Sequence, residues 1–353
     1  MDSFSLHTQL YFGENPLEAL DVLKDRRVLV VTDEFLSSSG LLDRVTAHLG
    51  TFEVFSKVTP DPSLELVAQG VSAYRAFSPD AIVAFGGGSP MDAAKALRHF
   101  AAEGQELVPL PPLYCIPTTA GTGSEVTSFA VLTDSVKQQK YPLIDPALRP
   151  ECAILDPQFL EKIPPAVTAD TGMDVLTHAC EAYVSVRANP FTDALAEKAF
   201  VSAWQNLPAA YRGDPHGKAA LLLASCQGGM AFNEAGLGVC HALSHTLGGL
   251  LHQPHGRLNA LLLPHVIRYN GAGSAAKKYG ALAALCGLAP TAGGLASALS
   301  RLSARLGEPA KFTVKFDREQ VAAAALLDVC ARDNPRVPTQ KELSALLREV
   351  SSP

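Results

Sequence analysis

"DAIVAFGGGSPMDAAKA" occupies Asp80–Ala96 and decides how the first half of the chain folds. The apolar run Ala81–Phe85 meets Gly86, Gly87 and Gly88, and a helical pattern starts at once. A short unbroken apolar run reads as a strand buried on both faces. Ser89 is expected as the helix N-cap, Pro90 as the first helical residue and Asp92 as the partner completing a capping box. Free N–H groups at a helix start attract phosphate, and glycines let an anion approach the main chain. The stretch matches neither GxGxxG nor a Walker sequence, so a purely structural turn is an equal alternative on these residues alone.

The same alternation extends on either side. "RRVLVVTD" (26–33), "FEVFS" (52–56) and "PLYCIPTT" (112–119) read as strands, while 39–50, 62–77 and 91–104 read as helices. Strands alternating with helices predict crossover units and a parallel sheet covered on both faces. "IPTTAGTGSEVTS" (116–128) is a second loop rich in Gly, Thr and Ser, suited to phosphate and ribose. Asp33 closes the first of these strands, where a carboxylate can bond a ribose hydroxyl and repel a 2′-phosphate, or simply cap the next helix. Ligands bind where such loops gather at the carboxyl ends of parallel strands.

Beyond about Pro164 the chain is rich in Ala and Leu with helical periodicity, and prolines in "LDPQFLEKIPPAV" mark a boundary near 155–165. The expected organisation is a dinucleotide-binding α/β domain over 1–160 and an all-helical metal-binding and substrate domain over 161–353. A formal charge of −6 and the lack of a Lys/Arg run exclude a nucleic-acid footprint. The start, "MDSFSLHTQLYFG", alternates like an edge strand and lacks the pattern of a secretory signal; no window approaches a membrane span. Seven scattered cysteines without a CxxC pair suggest buried thiols in a reducing cytosol. Cys240, beside the histidine cluster, reads as a small buried apolar residue.

The helical half concentrates imidazole. Asp174 and His178 are four apart in "GMDVLTHACEAY", and His241 and His245 repeat that spacing in "HALSHTLGGLLHQPHG". Residues at i and i+4 share one helix face. His252 and His255 follow, the latter in "QPHGR", where Pro254 is expected to end the helix and Gly256 to let the chain turn. One carboxylate and three imidazoles form a nitrogen–oxygen site for Fe(II), Zn(II), Mn(II) or Ni(II); without thiolate it is unlike a structural zinc site. Spacing alone leaves open the choice between His241 and His245, and leaves His252 within reach.

Taken with "GGGSPMDAAKA" and "PTTAGTGSEVT", the segments "ADTGMDVLTHACEAYVS", "GLGVCHALSHTLGG" and "PHGRLNALLLPHVIRYN" resemble the iron-containing (group III) alcohol dehydrogenases over nearly the whole chain. Within that family the chain is similar to the propanol and ethanol dehydrogenases of propanediol- and ethanolamine-utilisation systems. The resemblance implies the dehydroquinate synthase-like fold: a Rossmann-like parallel-sheet domain followed by a helical metal-binding domain. It implies Asp174, His178, His241 and His255 as metal ligands and His245 as a proton relay near the nicotinamide, and leaves His252 without a role. It also implies cofactor contacts from Asp33, Gly87, Gly88, Ser89, Asp92, Thr118, Thr119, Thr122 and Lys140; Lys140 would otherwise pass as an ordinary surface lysine. The cofactors so implied are NAD(H) and Fe(II), with Zn(II) or Mn(II) as substitutes.

The reaction so implied, in a cleft between the domains, is reversible NADH-linked reduction of propanal or acetaldehyde to the primary alcohol. Phe129 and Phe232 are candidate walls of the substrate pocket, with ordinary core packing as the alternative. Rival readings are a lactaldehyde, glycerol or maleylacetate reductase, a dehydroquinate synthase-like lyase, and a metal hydrolase in which the glycine turn is only structural. The expected partners are a small aldehyde or alcohol and further copies of the chain, in a homodimer or larger. No nucleic acid or membrane partner is expected. The expected location is the cytoplasm, with a bacterial microcompartment and its shell or partner enzymes implied by the subgroup. Relative to many members the chain is compact near 209–217 and 308–316, outside the motifs.

Overall fold

Valine-rich and alternating segments of the first half pair side by side because β-branched chains buried on both faces stabilise a parallel sheet. The computed structural model describes residues 4–102, 110–136 and 139–351. Residues 1–3 of the expected edge segment and 103–104 of the helix expected over 91–104 lie outside them. Its contacts divide the chain into two compact units, Met1–Thr119 with Gly123–Lys162, and Ala120–Thr122 with Ile163–Pro353.

In the first unit the strands are β1 (Gln9–Phe12), β2 (Arg27–Asp33), β3 (Thr51–Val58), β4 (Ala81–Gly86), β5 (Leu113–Pro117), β6 (Phe129–Asp134), β7 (Gln139–Ile144) and β8 (Cys152–Leu155). Six of them form one parallel sheet in the order β1-β8-β5-β4-β2-β3, and β6 pairs antiparallel with β7. All six residues of β4 are buried, as its apolar run requires. The helices are α1 (Glu34–Ser38), α2 (Leu41–Thr46), α3 (Leu64–Phe77) and α4 (Gly88–Ala102). Met91, Ala94 and Leu97 of α4 pack with Leu29, Val31, Phe55, Ile82 and Ala84 in one core. The β6–β7 pair and β8, inserted between β1 and β5, were not expected from the sequence. Lys140 and Pro142 interrupt β7, and four-residue β8 is too short to show a period.

The chain leaves β2 toward β3 on one side and returns to β4 on the other, so the order of strands reverses between β2 and β4. Side chains and amides at the carboxyl ends of those two strands therefore border a crevice that the sheet itself does not fill.

The second unit contains α5 (Pro165–Val184), α6 (Pro190–Tyr211), α7 (Pro215–Ala235), α8 (Val239–Leu251), α9 (His255–Asn270), α10 (Ala276–Leu285), α11 (Ala292–Arg305), α12 (Arg318–Ala325) and α13 (Gln340–Val350), and no strand among the described residues. Helix α5 is its centre: every residue from Gly172 to Val184 is buried, and α6, α7 and α9 pack around it. A helix buried on every side, with its polar side chains partnered, fits only at such a position. None of the helices among the described residues is long and apolar enough to cross a membrane.

Two local expectations are corrected. Helix α4 begins at Gly88, so Ser89 and Pro90 lie inside its first turn and Ser89 is not the cap. A Cβ at Gly86 would come within 2.5 Å of Pro90 Cγ, so the chain turns on bare backbone there. Pro254 does not end α8: that helix closes at Leu251 with His252 in the left-handed region (φ 51°), and Pro254 instead precedes α9. Gly256 is helical rather than a turn residue, and a Cβ there would lie 2.0 Å from the Asp170 carbonyl oxygen. The backbone of α9 thus touches α5, which brings His255 to Asp174.

Candidate metal centre and nucleotide loops

Three helices of the second unit supply the centre. Helix α5 carries Asp174, His178 and Glu181 on successive turns, α8 carries His241 and His245, and His255 is the first residue of α9. The contact between α9 and α5 is locked by Arg257, whose Nε and Nη2 donate to Asp170 Oδ1 and Oδ2, each at 3.2 Å. A two-pronged guanidinium–carboxylate pair fixes orientation as well as distance.

Asp174 Oδ1 lies 3.9 Å from Nε2 of His178, 3.8 Å from Nε2 of His241 and 3.7 Å from Nε2 of His255. Ligand atoms bound at about 2.0–2.2 Å to one cation lie up to about 4.4 Å apart. Asp174, His241 and His255 also offer donors all within 4.8 Å of one another; His178 is near the carboxylate but outside that mutual set. The donors are nitrogen and oxygen, so these residues fit a divalent transition metal. Burial raises the Asp174 carboxyl, against the pull of His178 and the Asn259 hydrogen bond. Burial, then His178 and His245, hold the His241 imidazole well below its usual range, in the neutral form that ligates. The side chain of His255 is 36% exposed, against 1% for His241, so the centre opens to solvent on the His255 side.

His178 is stacked between Phe232, at 4.4 Å between ring centres, and His241, at 4.7 Å. Phe232 therefore packs against His178 from a buried position. His245 lies edge-on to His241 at 5.9 Å and stacks on His255 at 5.3 Å. Its Nδ1 is 2.9 Å from Asp328 Oδ2. Burial alone would raise Asp328, but the hydrogen bond and charge of His245 and the Cys330 N–H outweigh it and hold the carboxyl near about 2. A carboxylate that stays ionised can orient an imidazole that gains and loses a proton. Cys240 is buried with its thiol held well above the usual range by that burial, and its Sγ faces Asn259. His252 only closes α8.

Glu181, Asn259 and Asp328 surround this centre and were not singled out from the sequence. Asn259 Nδ2 donates to Asp174 Oδ1 at 2.7 Å and lies 3.3 Å and 3.1 Å from Nε2 of His241 and His255. Glu181 falls at i+7 from Asp174 and Asn259 at i+4 from His255, so helical spacing carried a signal for both. Asp328 is 83 residues from His245, and no local pattern links them.

In the first unit, Asp33 ends β2, Gly87–Ser89 follow β4, and Thr118 and Thr119 follow β5, all at the carboxyl edge of the sheet. Thr118 N donates to Gly86 O at 2.9 Å, tying the two loops together. Asp33 Oδ1 caps α1 by accepting from Leu36 N at 2.8 Å. Asp92 is used internally: Oδ1 accepts from Ser124 Oγ at 2.7 Å and Oδ2 from Val131 N at 3.0 Å, beside fully buried Lys95. Lys140, on β7, forms an ion pair with Asp61. Thr122 groups with the second unit. Phe129 belongs to β6, where its carbonyl accepts from Lys95 Nζ at 2.8 Å.

A glycine-turned parallel sheet and a helical unit with a histidine–carboxylate centre together define a class, the metal-dependent nucleotide-linked oxidoreductases. The chain belongs to the iron-containing alcohol dehydrogenase family: residues 7–157 match the family's "Iron-containing alcohol dehydrogenase" model and residues 168–351 its C-terminal model. It is 43% identical to the 1-propanol dehydrogenase PduQ of Salmonella typhimurium, across 99% of this chain and 100% of that one. A solved 1,3-propanediol oxidoreductase superposes with a TM-score of 0.93 at 35% identity, covering 99% of this chain and 100% of that chain. The sulfoacetaldehyde reductase of Bifidobacterium kashiwanohense, solved with NAD+, superposes with a TM-score of 0.89 at 25% identity, covering 99% and 98%. The chain is an alcohol dehydrogenase of the iron-containing family, an enzyme that interconverts alcohols and aldehydes.

Proposed function

We propose that the protein reduces short unbranched aldehydes, propanal and acetaldehyde foremost, to primary alcohols with NADH, and runs the reverse reaction. The observation that carries this is the convergence of His178, His241 and His255 on one buried carboxylate oxygen of Asp174. The kinship with the propanol dehydrogenase supports the chain length of the substrate.

A divalent cation held by Asp174, His178, His241 and His255 supplies Lewis-acid polarisation of the carbonyl oxygen, and the nicotinamide supplies hydride. Around that chemistry the chain's own residues bind, orient and move a proton. Asp174 and the three imidazoles hold the cation, with Asn259 fixing the carboxylate through its amide. His245 gives a proton to the alcohol oxygen in reduction and takes it in oxidation, held in place by Asp328. Phe232 keeps one side of His178 dry. The loops at Asp33, Gly87–Ser89 and Thr118–Thr119 bind the dinucleotide, with helix α4 offering its free N–H groups to the pyrophosphate. Asp92, Thr122 and Lys140 are proposed on the family pattern, Asp92 as a brace of the loop and Lys140 as a phosphate contact. Division of labour then follows the two units, with the nucleotide on the first, Thr122 apart, and metal and substrate on the second.

Protein prepared without oxygen and loaded with Fe(II) should consume NADH with propanal and acetaldehyde, and faster than with lactaldehyde or maleylacetate. No oxidation with any short aldehyde would overturn the assignment. Assembly into a homodimer or larger oligomer, in the cytoplasm or within a microcompartment of the propanediol-utilising kind, completes the proposal. Light scattering and co-fractionation with shell proteins test it.

A further inference from the structure

Glu181 is buried on α5, two turns beyond Asp174, with 2% of its surface exposed. Four donors converge on its two oxygens. Oε1 accepts from Cys240 N at 2.7 Å; Oε2 accepts from Gly238 N at 3.0 Å and from His241 N at 3.3 Å, and lies 2.6 Å from His241 Nδ1. The three backbone groups can only donate. They are also N–H groups that the start of α8 would otherwise leave unpaired, since Gly238 at its N-cap has no side chain. An oxygen already accepting two backbone N–H groups is a poor hydroxyl donor, so the remaining partner, Nδ1, donates too.

We infer that Glu181 is the positioning residue of the metal centre: by accepting the Nδ1 proton of His241 it fixes that imidazole in the tautomer whose Nε2 lone pair faces Asp174, and it aims the start of α8 by the same carboxylate. The inference rests on the metal centre proposed above. Its chemistry is that of a carboxylate–histidine–metal relay, in which the outer carboxylate orients the ring and makes it a better ligand. The histidine with the least solvent contact is the one held this way.

Two measurements test it. In the metal-free wild-type protein, long-range 1H–15N spectra of histidine-labelled samples, with His241→Gln supplying the assignment, should show His241 protonated at Nδ1. An Nε2–H tautomer would overturn the inference, whatever the enzyme catalyses. Second, Glu181→Gln should weaken Co(II) affinity, read from the visible d–d bands in competition with a chelator, by about 10- to 100-fold. NADH binding should be unchanged and the circular dichroism helical. Affinity within about threefold of the parent would overturn it. Failure of the metal proposal itself is a different result: wild-type protein that binds no Co(II) at all, with the His241 tautomer still at Nδ1. If Glu181→Gln does not fold, the wild-type tautomer decides alone.

Discussion

At the scale of single residues, the carboxylate of Asp33 has two tasks that can be separated. Oδ1 caps α1, while Oδ2 makes no hydrogen bond among the described residues and ends β2 beside the strand-order reversal. Asparagine caps a helix about as well as aspartate. Asp33→Asn should leave the melting temperature unchanged and lower the preference for NADH over NADPH, since a 2′-phosphate no longer meets a negative charge. Equal discrimination in the two proteins, read as the ratio of kcat/KM for the two cofactors, counts against the ribose contact. Residues of this kind are legible in sequence because their position at a strand end is local. Asp174 with His178, and His241 with His245, stand out for the same reason, as i, i+4 pairs on helices, although spacing alone leaves open the choice between the latter two. Asp328 is not, because its meeting with His245 is made only by the path of the chain through α9–α12. Ser89 reads as a cap because Ser-Pro is the usual start of a helix. The three glycines before it allowed the helix to begin two residues sooner, at Gly88.

At the scale of elements, the turn between Gly123 and Thr127 buries a carboxyl. Glu125 is 1% exposed, its Oε1 has no hydrogen-bond partner among the described residues, and burial pushes it up to about 7 against the pull of its own backbone and Lys95. Between its ordinary value of 4.5 and about 7 the folded chain holds a proton that the unfolded chain has released. Stability from this group is therefore full below 4.5 and lost as pH rises to 7, by about 1.4 kcal/mol per unit and about 3 kcal/mol in all. Glu125→Gln removes that loss. The variant should match the parent near pH 4.5 and exceed it by a few kcal/mol at pH 8 in urea unfolding; equal stability at pH 8 would show that the carboxyl finds a partner or water. Such elements are half-legible. β2, β4, α5 and α8 follow from apolar runs and periods, whereas the β6–β7 pair and β8 depend on neighbours far along the chain, and α9 begins where it does because Gly256 touches Asp170.

At the scale of the whole molecule, the proposed cofactor contacts, Thr122 apart, and the proposed metal ligands lie in different compact units and share no residue. Removing the cation with a chelator under anaerobic conditions should abolish aldehyde reduction, and Fe(II) should restore it. NADH binding, followed by fluorescence, should survive with Kd within a small factor. A ligand that binds only the folded form stabilises by about 2.7 kcal/mol at a hundredfold excess over Kd, so thermal stability should fall on chelation as well. Loss of NADH affinity along with the metal would mean that the two sites are coupled. The order of the two units is legible from the change in composition near Pro164, because a buried parallel sheet and a helical bundle draw on different residues.

The edge-on pair formed by His241 and His245 has a consequence for what can be turned over. Both stand on one rigid rod, four residues or about 6 Å apart along its axis, so on the proposed assignment the helix, and not loop motion, sets the spacing between the cation and the group that would handle the proton. On that assignment every accepted molecule would lay its one oxygen against this built-in ruler, and selectivity among alcohols would be left to whatever surrounds the carbon tail.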